Sequence, residues 1–263
     1  MDIFEHIVAA RQHQRPFVLA TVIDIKGSTP RDIGAKMLVF QDGHTEGTIG
    51  GGAIEKKVVD ACPAVLEANK AQVMHYDLDE LQMQCGGNMS VFLEPVVSQP
   101  SLLIFGAGHI GHSLARMAAM LNFSVTVVDN RPDFATAERF PTAQQIICKD
   151  YNEALPELEF HADAYIVIVT YKHLHDQEIL EYCIQQPFRY LGMIGSKTKV
   201  TQAFRKLEQA GISQELIGKV TSPIGLNINA QTPEEICVAI LAELVGVRNG
   251  ADLTSQQMKL DYA

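Results

Sequence analysis

The stretch that decides the fold is LLIFGAGHIGHSLARMAAMLNFSVTVVD, residues 102–129. An apolar run typical of a β-strand leads into spaced glycines and a helical pattern, and a second apolar run ends in an acidic residue. The glycines are Gly106, Gly108 and Gly111, and the acid is Asp129. Strand, glycines, helix, strand and acid in this order are typical of a dinucleotide-binding Rossmann unit.

Each residue of this signature has its own expected role. Gly106 permits a tight turn, Gly108 lets the backbone approach a pyrophosphate, and Gly111 lets the helix pack closely on the strand. The helix that opens near His109 offers free N–H groups and the positive end of its dipole to an anion. A carboxylate at Asp129 can accept hydrogen bonds from both hydroxyls of a ribose. We therefore predict that a nucleotide-like ligand binds here.

Length and composition narrow the class of protein. The chain has 263 residues, of which 47% are hydrophobic, which is enough for one large α/β domain or two smaller ones. Its formal net charge is −10 and its longest basic run is Lys56-Lys57, so we expect no nucleic-acid partner. No segment approaches the roughly 20 apolar residues that span a bilayer, so we predict no membrane span.

The cysteines indicate a reducing compartment. Five are present, an odd number scattered without CxxC spacing: Cys62, Cys85, Cys148, Cys183 and Cys237. This distribution argues against a disulfide framework or a structural zinc site and makes the cytoplasm the expected location.

The first residues predict a helix that packs on the core. Ile3, Phe4, Ile7 and Val8 fall on one helical face, mixed with acidic residues, which is unlike the apolar region of a secretory signal.

A proline-containing polar stretch at residues 96–101 divides two dissimilar halves, and we predict domains at residues 1–97 and 98–263. The second half alternates strand and helix, which is typical of a doubly wound parallel sheet of the Rossmann type. Its further strands are predicted at residues 145–148, 165–169, 189–193 and 219–220. Its further helices are predicted at 176–186, 197–210 and 233–247, the last with Thr232 and Glu235 as a capping box.

The first half reads as a smaller α/β domain. Strands are predicted at residues 17–25, 36–40 and 90–94, with a turn at Asp42-Gly43. Three glycines, Gly50 to Gly52, lead into a helical pattern that starts near Ala53. They form either a second cradle for an anion or a tight strand-to-helix turn that needs glycine for steric reasons, and the sequence leaves both open.

Cys85 differs from the other cysteines because it lies in a loop of small residues, Gln84-Cys85-Gly86-Gly87. Flanking glycines leave the sulfur accessible and bring backbone N–H groups near it, which stabilises the thiolate. The remaining cysteines read as buried apolar side chains. Cys85 is therefore the candidate nucleophile or metal ligand.

Three further segments carry candidate polar groups. His173 follows a strand at the carboxyl edge of the predicted parallel sheet and could donate a proton, bind a metal or contact the substrate, whereas Asp176 is placed to cap the next helix. Ser196 starts a helix at the same edge and either contacts a phosphate or serves as a plain N-cap. Arg31, in a turn-rich loop with two hydroxyls, could grip a phosphate or carboxylate, or lie in a surface turn.

Several motifs together resemble those of the XdhC/CoxI family, the maturation factors of xanthine dehydrogenase. They occur in the family's order over nearly the whole chain: GSTPRDIGAKMLVF (27–40), GTIGGGAIE (47–55), QCGGNMSVFLEP (84–95), LLIFGAGHIGHSLA (102–115), VTYKHLHD (169–176), YLGMIGSKTK (190–199) and SPIGLNINAQTPEEICVAILAEL (222–244).

The resemblance implies a protein that binds molybdenum cofactor (molybdopterin), protects it while a cysteine desulfurase adds sulfide, and delivers it to a molybdenum hydroxylase apoenzyme. It implies an accessory protein more than an enzyme, and a homodimer. By position, Cys85 would contact molybdenum or its sulfur. The other implied contacts are Arg31, the Gly50–Gly52 turn, Glu55, Gly86, Gly87, His173 and Ser196. Two residues depart from the family pattern. Gln84 stands where family members often have a second cysteine, and Ala53 stands where many have cysteine or histidine.

Two alternatives are compatible with the same residues. The first is an NAD-dependent oxidoreductase, in which the glycines and Asp129 hold NAD and His173 acts as general acid or base. The second is a regulatory protein that senses NAD or another nucleotide. Against the oxidoreductase, no other base or substrate-clamp motif stands out downstream.

Overall fold

The computed structural model describes residues 2–13, 15–81, 87–97 and 99–258. The chain divides into two compact units, Met1–Gln99 and Pro100–Ala263. Within the described ranges, no helix combines the length and the apolar character needed to cross a bilayer.

The first unit is a five-stranded antiparallel sheet with two helices, which confirms the smaller α/β fold. The strands lie in the order β3-β2-β1-β5-β4. Their bounds are β1 Phe17–Gly27, β2 Lys36–Phe40, β3 Thr45–Gly47, β4 Gln72–Asp77 and β5 Gly87–Val96. The helices are α1 Ile3–Gln12 and α2 Gly52–Ala68.

Alternation along the strands gives this sheet two apolar faces, because successive side chains point to opposite sides. Met37 and Val39 of β2 join the cluster that includes Ile54 of α2. Leu38 and Phe40 join the cluster on which α1 packs.

The prediction for α1 was wrong for half of its apolar side chains. Ile3 and Ile7 pack against the core, whereas Phe4 and Val8 are 59% and 53% exposed. A helix of three turns can present only a narrow face to the sheet, and positions i and i+4 fill it here.

The second unit is a six-stranded parallel sheet in the order β11-β10-β9-β6-β7-β8. Its strands are β6 Ser101–Phe105, β7 Ser124–Val128, β8 Gln145–Ile147, β9 Tyr165–Ile168, β10 Tyr190–Met193 and β11 Val220–Thr221. Its helices are α3 His109–Met120, α4 Tyr151–Ala154, α5 His173–Cys183, α6 Lys197–Gln209, α7 Gln214–Ile217 and α8 Pro233–Arg248, with a short 3-10 turn at Leu155–Glu157.

Helices cover both faces of this sheet, so the predicted doubly wound Rossmann fold is confirmed. Leu102 and Ile104 of β6 pack in one cluster with residues of α3 and α8. Leu103 and Phe105 pack in the opposite cluster with residues of α5 and α6. All parallel strand ends therefore meet at one edge, between two layers of helices.

The start of α5 differs from its prediction. The helix begins at His173, with Lys172 as N-cap, and Asp176 lies inside its first turn, so Asp176 is not the N-cap. The capping box of α8 is confirmed, because Thr232 Oγ1 accepts the Glu235 amide at 3.2 Å and Glu235 Oε2 accepts the Thr232 amide at 3.0 Å.

Candidate functional site

The three glycines of the loop after β6 meet different surroundings. A Cβ on Gly106, whose φ is +116°, would lie 2.4 Å from the carbonyl oxygen of Val169. A Cβ on Gly111 would lie 1.8 Å from the Gly106 carbonyl oxygen, so α3 packs directly on the loop. A Cβ on Gly108 would meet nothing within 4 Å. This geometry suits a turn, a close packing contact and an open backbone position, respectively.

Helix α3 starts at this open position. Gly108 is its N-cap and supplies no side-chain cap, and His109 is exposed at the first helical residue. The free amides of the first turn can donate hydrogen bonds to an anion there. His112 instead packs its ring against Phe140 at 5.6 Å between ring centres, so the two histidines have different surroundings.

Asp129 follows β7 beside this loop, and its carboxylate is already engaged. It is completely buried. Oδ2 accepts the Ala107 amide at 2.7 Å and Nη2 of Arg131 at 2.8 Å, while Oδ1 accepts Nε of Arg131 at 2.8 Å and its amide at 3.0 Å. Burial raises the pKa of this carboxyl, but the hydrogen bonds from Arg131 and Ala107 outweigh it and leave the pKa lowered.

The Arg131 guanidinium is also covered by aromatic rings. Its central carbon lies 3.8 Å from the ring centre of Phe134 and 4.0 Å from that of Tyr171. Arg131 therefore takes the hydrogen-bonding positions on Asp129 that a ribose would need. Ribose binding at Asp129 stays a prediction, and it requires Arg131 to move.

The loop after β9 holds a histidine over a buried acid. His173 Nδ1 lies 3.3 Å from Oδ2 of Asp176, and its Nε2 contacts the Lys199 ammonium. Asp176 also accepts the Thr170 hydroxyl at 2.6 Å and the Thr170 amide at 3.1 Å. Burial raises the pKa of Asp176, and the hydrogen bonds from Thr170 offset this only in part.

This pairing decides what His173 can do chemically. An Nδ1–H donated to Asp176 leaves Nε2 as an acceptor that faces Lys199 and the solvent at the sheet edge. His173 is thus oriented for proton transfer or for a ligand contact. Among the described residues, no group of three or more histidine, cysteine or acidic side chains could hold a metal ion.

Ser196 lies at the next strand end. It is the N-cap of α6, and its hydroxyl makes no capping hydrogen bond. It also lines a cavity of about 690 Å³, together with the neighbouring residue Lys197 and the loop after β11.

In the first unit, the Gly50–Gly52 turn is tightly packed at Gly50 and open at Gly51. The three glycines have φ values of +135°, +74° and +64°. A Cβ on Gly50 would lie 2.5 Å from Cγ of Pro30, so this turn abuts the loop that carries Arg31.

The amides of this turn already hold an anion of the chain itself. Glu55 Oε1 accepts the Thr48 hydroxyl at 2.5 Å, the Gly51 amide at 2.8 Å and the Ile49 amide at 3.0 Å. Burial raises the Glu55 pKa, but these hydrogen bonds outweigh it and lower the pKa. Of the two alternatives that the sequence left open, an anion cradle and a tight strand-to-helix turn, the geometry favours the turn. The Glu55 carboxylate occupies the place where an external anion would bind.

Gly87 lies beside the same loops. It pairs with Gly27 across β1 and β5, and a Cβ there would lie 2.5 Å from the Lys26 carbonyl oxygen. The structure therefore brings Arg31, Gly50 and Gly87 to one end of this sheet. Arg31 is exposed. Cys85 and Gly86 lie outside the described residues.

Sequence reasoning missed Arg131 and the cavity. Arg131 is two residues beyond Asp129 in Asp129-Asn130-Arg131, and this close spacing was the available signal. The cavity is built by residues from separate segments, including Asn227, Ile236 and Met258, which no local pattern brings together.

Residues 102–244 match the XdhC Rossmann domain, and residues 10–77 match the XdhC and CoxI family. The chain belongs to the XdhC and CoxI family. Among curated relatives, it is 35% identical over 257 residues to the uncharacterized protein YqeB of Escherichia coli (strain K12), which covers 95% of the chain and 47% of YqeB. The chain thus spans about half the length of that relative.

Two further matches run over most of both proteins. The molybdenum cofactor insertion chaperone PaoD of Escherichia coli (strain K12) is 22% identical over 94% of this XdhC-family chain and 88% of PaoD. The crystal structure of a xanthine dehydrogenase from Bacillus halodurans is similar over 97% of the chain and 98% of that structure, with 25% identity and a TM-score of 0.52.

Proposed function

We propose that this chain is a maturation factor that binds molybdenum cofactor, supports its sulfuration and delivers it to a molybdenum hydroxylase such as xanthine dehydrogenase. The observation that carries the proposal is the similarity to a molybdenum cofactor insertion chaperone over 94% of the chain. The partners would be the hydroxylase apoenzyme and a cysteine desulfurase in the cytoplasm.

The glycine loop of the second unit supports the binding step. Gly108 leaves the backbone open, and the first turn of α3 at His109 offers amides to the phosphate of the cofactor. Gly106 and Gly111 shape the loop without needing to touch the ligand. His173, held by Asp176, lies at the same edge and would offer Nε2 for a proton or a polar contact once Lys199 moves away from it.

We expect a carrier of the cofactor to offer its metal a soft ligand, and a cysteine thiolate is such a ligand. We assign this role to Cys85 on its sequence context. The prediction that Cys148 is buried was wrong, because it lies exposed directly after the edge strand β8. The other described cysteines, Cys62, Cys183 and Cys237, are buried, and burial raises the pKa of the Cys62 thiol to about 12 and that of Cys237 to about 11. Such thiols are poor ligands at neutral pH.

The direct test is to purify the protein from cells that make the cofactor and to identify released small molecules by mass spectrometry. We expect to find released molybdopterin. We also expect the hydroxylase apoenzyme to become active when the protein and a cysteine desulfurase are added to it. Cys85→Ala should abolish this activation, whereas the matched control Cys148→Ala, at an exposed cysteine, should leave it intact. Equal activation by wild type and Cys85→Ala would contradict the role of Cys85.

The same measurement separates the alternatives. Release of NAD instead of molybdopterin, with a change in nicotinamide absorbance on turnover, would favour an oxidoreductase. Bound nucleotide without turnover and without effect on the hydroxylase would favour a sensor. Light scattering of the purified protein tests the homodimer that we propose by family resemblance.

A further inference from the structure

A cavity of about 690 Å³ opens in the second unit beside the carboxyl ends of β10 and β11. Its walls are the turn into α6, the loop after β11, the first turns of α8, and Gln257 with Met258. Its volume falls within the range of small-molecule sites in proteins.

The walls of this cavity are held in place by buried hydrogen bonds. Ser222 Oγ donates to the Met193 carbonyl oxygen at 2.8 Å, and the Ile224 amide donates to the same oxygen at 3.1 Å. The Gly225 amide donates to the buried carboxylate of Glu243 at 2.8 Å. The loop is therefore tied to both β10 and α8, and the cavity is preformed.

The cavity lining has a distinctive chemistry. Four carboxamide side chains contribute to it: Asn227, Asn229, Gln231 and Gln257. Apolar side chains form much of the remainder: Ile194, Pro223, Ile224, Ile236 and Met258. Among the described residues that line the cavity, Lys197 is the one with a charge and none is acidic, although the chain has a formal net charge of −10.

We propose that this cavity binds the pterin ring of the molybdenum cofactor, an inference that rests on the proposed function. The edge of a pterin carries an amide-like N–H and C=O beside an amino group. Carboxamides match such an edge because they donate and accept side by side, as they do toward adenine. The apolar side chains cover the ring faces, and Lys197 offsets the negative charge of the cofactor.

The position of the cavity agrees with a phosphate at the glycine loop. The glycine loop follows β6, and the cavity lies beside the end of β10. Because β9 lies between these two strands, their ends are separated by two strand spacings, roughly 10 Å. One phosphorylated pterin can occupy both places at the same edge. The position beyond the glycine loop, toward Asp129, is filled by Arg131.

The test uses the fluorescent probe pterin-6-carboxylate and the full chain, with binding followed by anisotropy. We expect wild type to bind it and Asn227→Ala to weaken binding by about five- to tenfold, the loss expected for one hydrogen bond. Ile236→Phe, which fills the cavity, should weaken it at least as much. Asn152→Ala and Lys206→Ala lie on exposed positions outside the cavity and should bind like wild type.

Each result has a defined meaning once thermal unfolding shows that the variants are folded. Equal binding by cavity and control variants, or stronger competition by AMP than by unlabelled pterin, would overturn the proposal. If wild type carries molybdopterin when purified but its release is unchanged by Ile236→Phe, the cavity assignment fails and the maturation role stands. If wild type binds neither the probe nor the cofactor, both fail.

Discussion

Asp129 shows how one residue type can serve two purposes in this fold. In the expected arrangement its carboxylate is free to accept hydrogen bonds from a ribose. Here it joins the glycine loop to Arg131 through four hydrogen bonds. The acid at the end of the second strand could be predicted from the sequence. Its partner could not, because the choice between ribose and arginine depends on side-chain placement within a few ångströms.

Asp129→Asn should lower the free energy of unfolding at neutral pH by about 2–4 kcal/mol, since it leaves the partly buried Arg131 without its counter-ion. The folded pKa of Asp129 lies below the unfolded value of about 3.9, so the carboxylate stabilises the fold above that pH. This contribution is lost as the pH falls through the folded pKa. Urea unfolding at several pH values should show the gap between wild type and variant closing below about pH 4.

Arg131 should exclude NAD from the wild-type protein. Arg131→Ala frees the Asp129 oxygens, so we expect it to gain measurable affinity for NAD or ADP-ribose by isothermal titration calorimetry, at some cost in stability. Arg116→Ala, on the exposed side of α3, is the control and should behave as wild type. Tight binding of NAD by wild type would show that Arg131 moves away from Asp129 easily. It would favour the oxidoreductase or the nucleotide sensor over the maturation factor.

At the scale of elements, the second unit was the more predictable half. Its strands and long helices follow apolar periodicity and lie within a few residues of their predicted bounds. The short helices α4 and α7 and the edge strand β4 were missed, because elements of four to six residues with mostly exposed side chains carry little pattern. The α5 start was misplaced because Lys172, its N-cap, lacks a capping oxygen.

The glycine loop allows a sharp comparison of two alanine substitutions. Gly111→Ala should destabilise the second unit by more than about 3 kcal/mol, because the new methyl group would overlap the Gly106 carbonyl oxygen. Gly108→Ala should leave the unfolding temperature unchanged, because φ there is −68° and the space is open.

Gly108→Ala also tests whether the glycine loop binds a phosphorylated ligand, because it changes the open backbone position without a large change in stability. If the backbone at Gly108 approaches a phosphate, the added methyl group should weaken cofactor retention while the protein stays folded. Unchanged retention by Gly108→Ala would remove this loop from the candidate site.

At the scale of the whole molecule, each unit has apolar clusters made only of its own residues. We therefore expect residues 100–263, expressed alone, to fold cooperatively by circular dichroism and to bind pterin-6-carboxylate with an affinity like that of the full chain. The same fragment should fail to activate a hydroxylase, because Cys85 is missing. A fragment that is folded yet does not bind the probe would assign binding determinants to the first unit.

The molecule as a whole also shows where sequence reasoning stops. Separate motifs predicted two folds and the loops at one end of each sheet. They could not decide between an external anion and Glu55 at the Gly50–Gly52 turn, because a side chain one helical turn away decides it. Nor could they find the carboxamide cavity, whose members are spread from residue 194 to residue 258.

The contact of Arg131 with Tyr171 has an optical consequence. The chain contains seven tyrosines and no tryptophan, so its intrinsic emission comes from phenol rings alone. Tyr171 is 43% exposed and lies against a cation that must leave if a nucleoside enters beside Asp129. Its emission should change with that departure, which makes the ring a built-in reporter of whether this part of the sheet edge is open or shut.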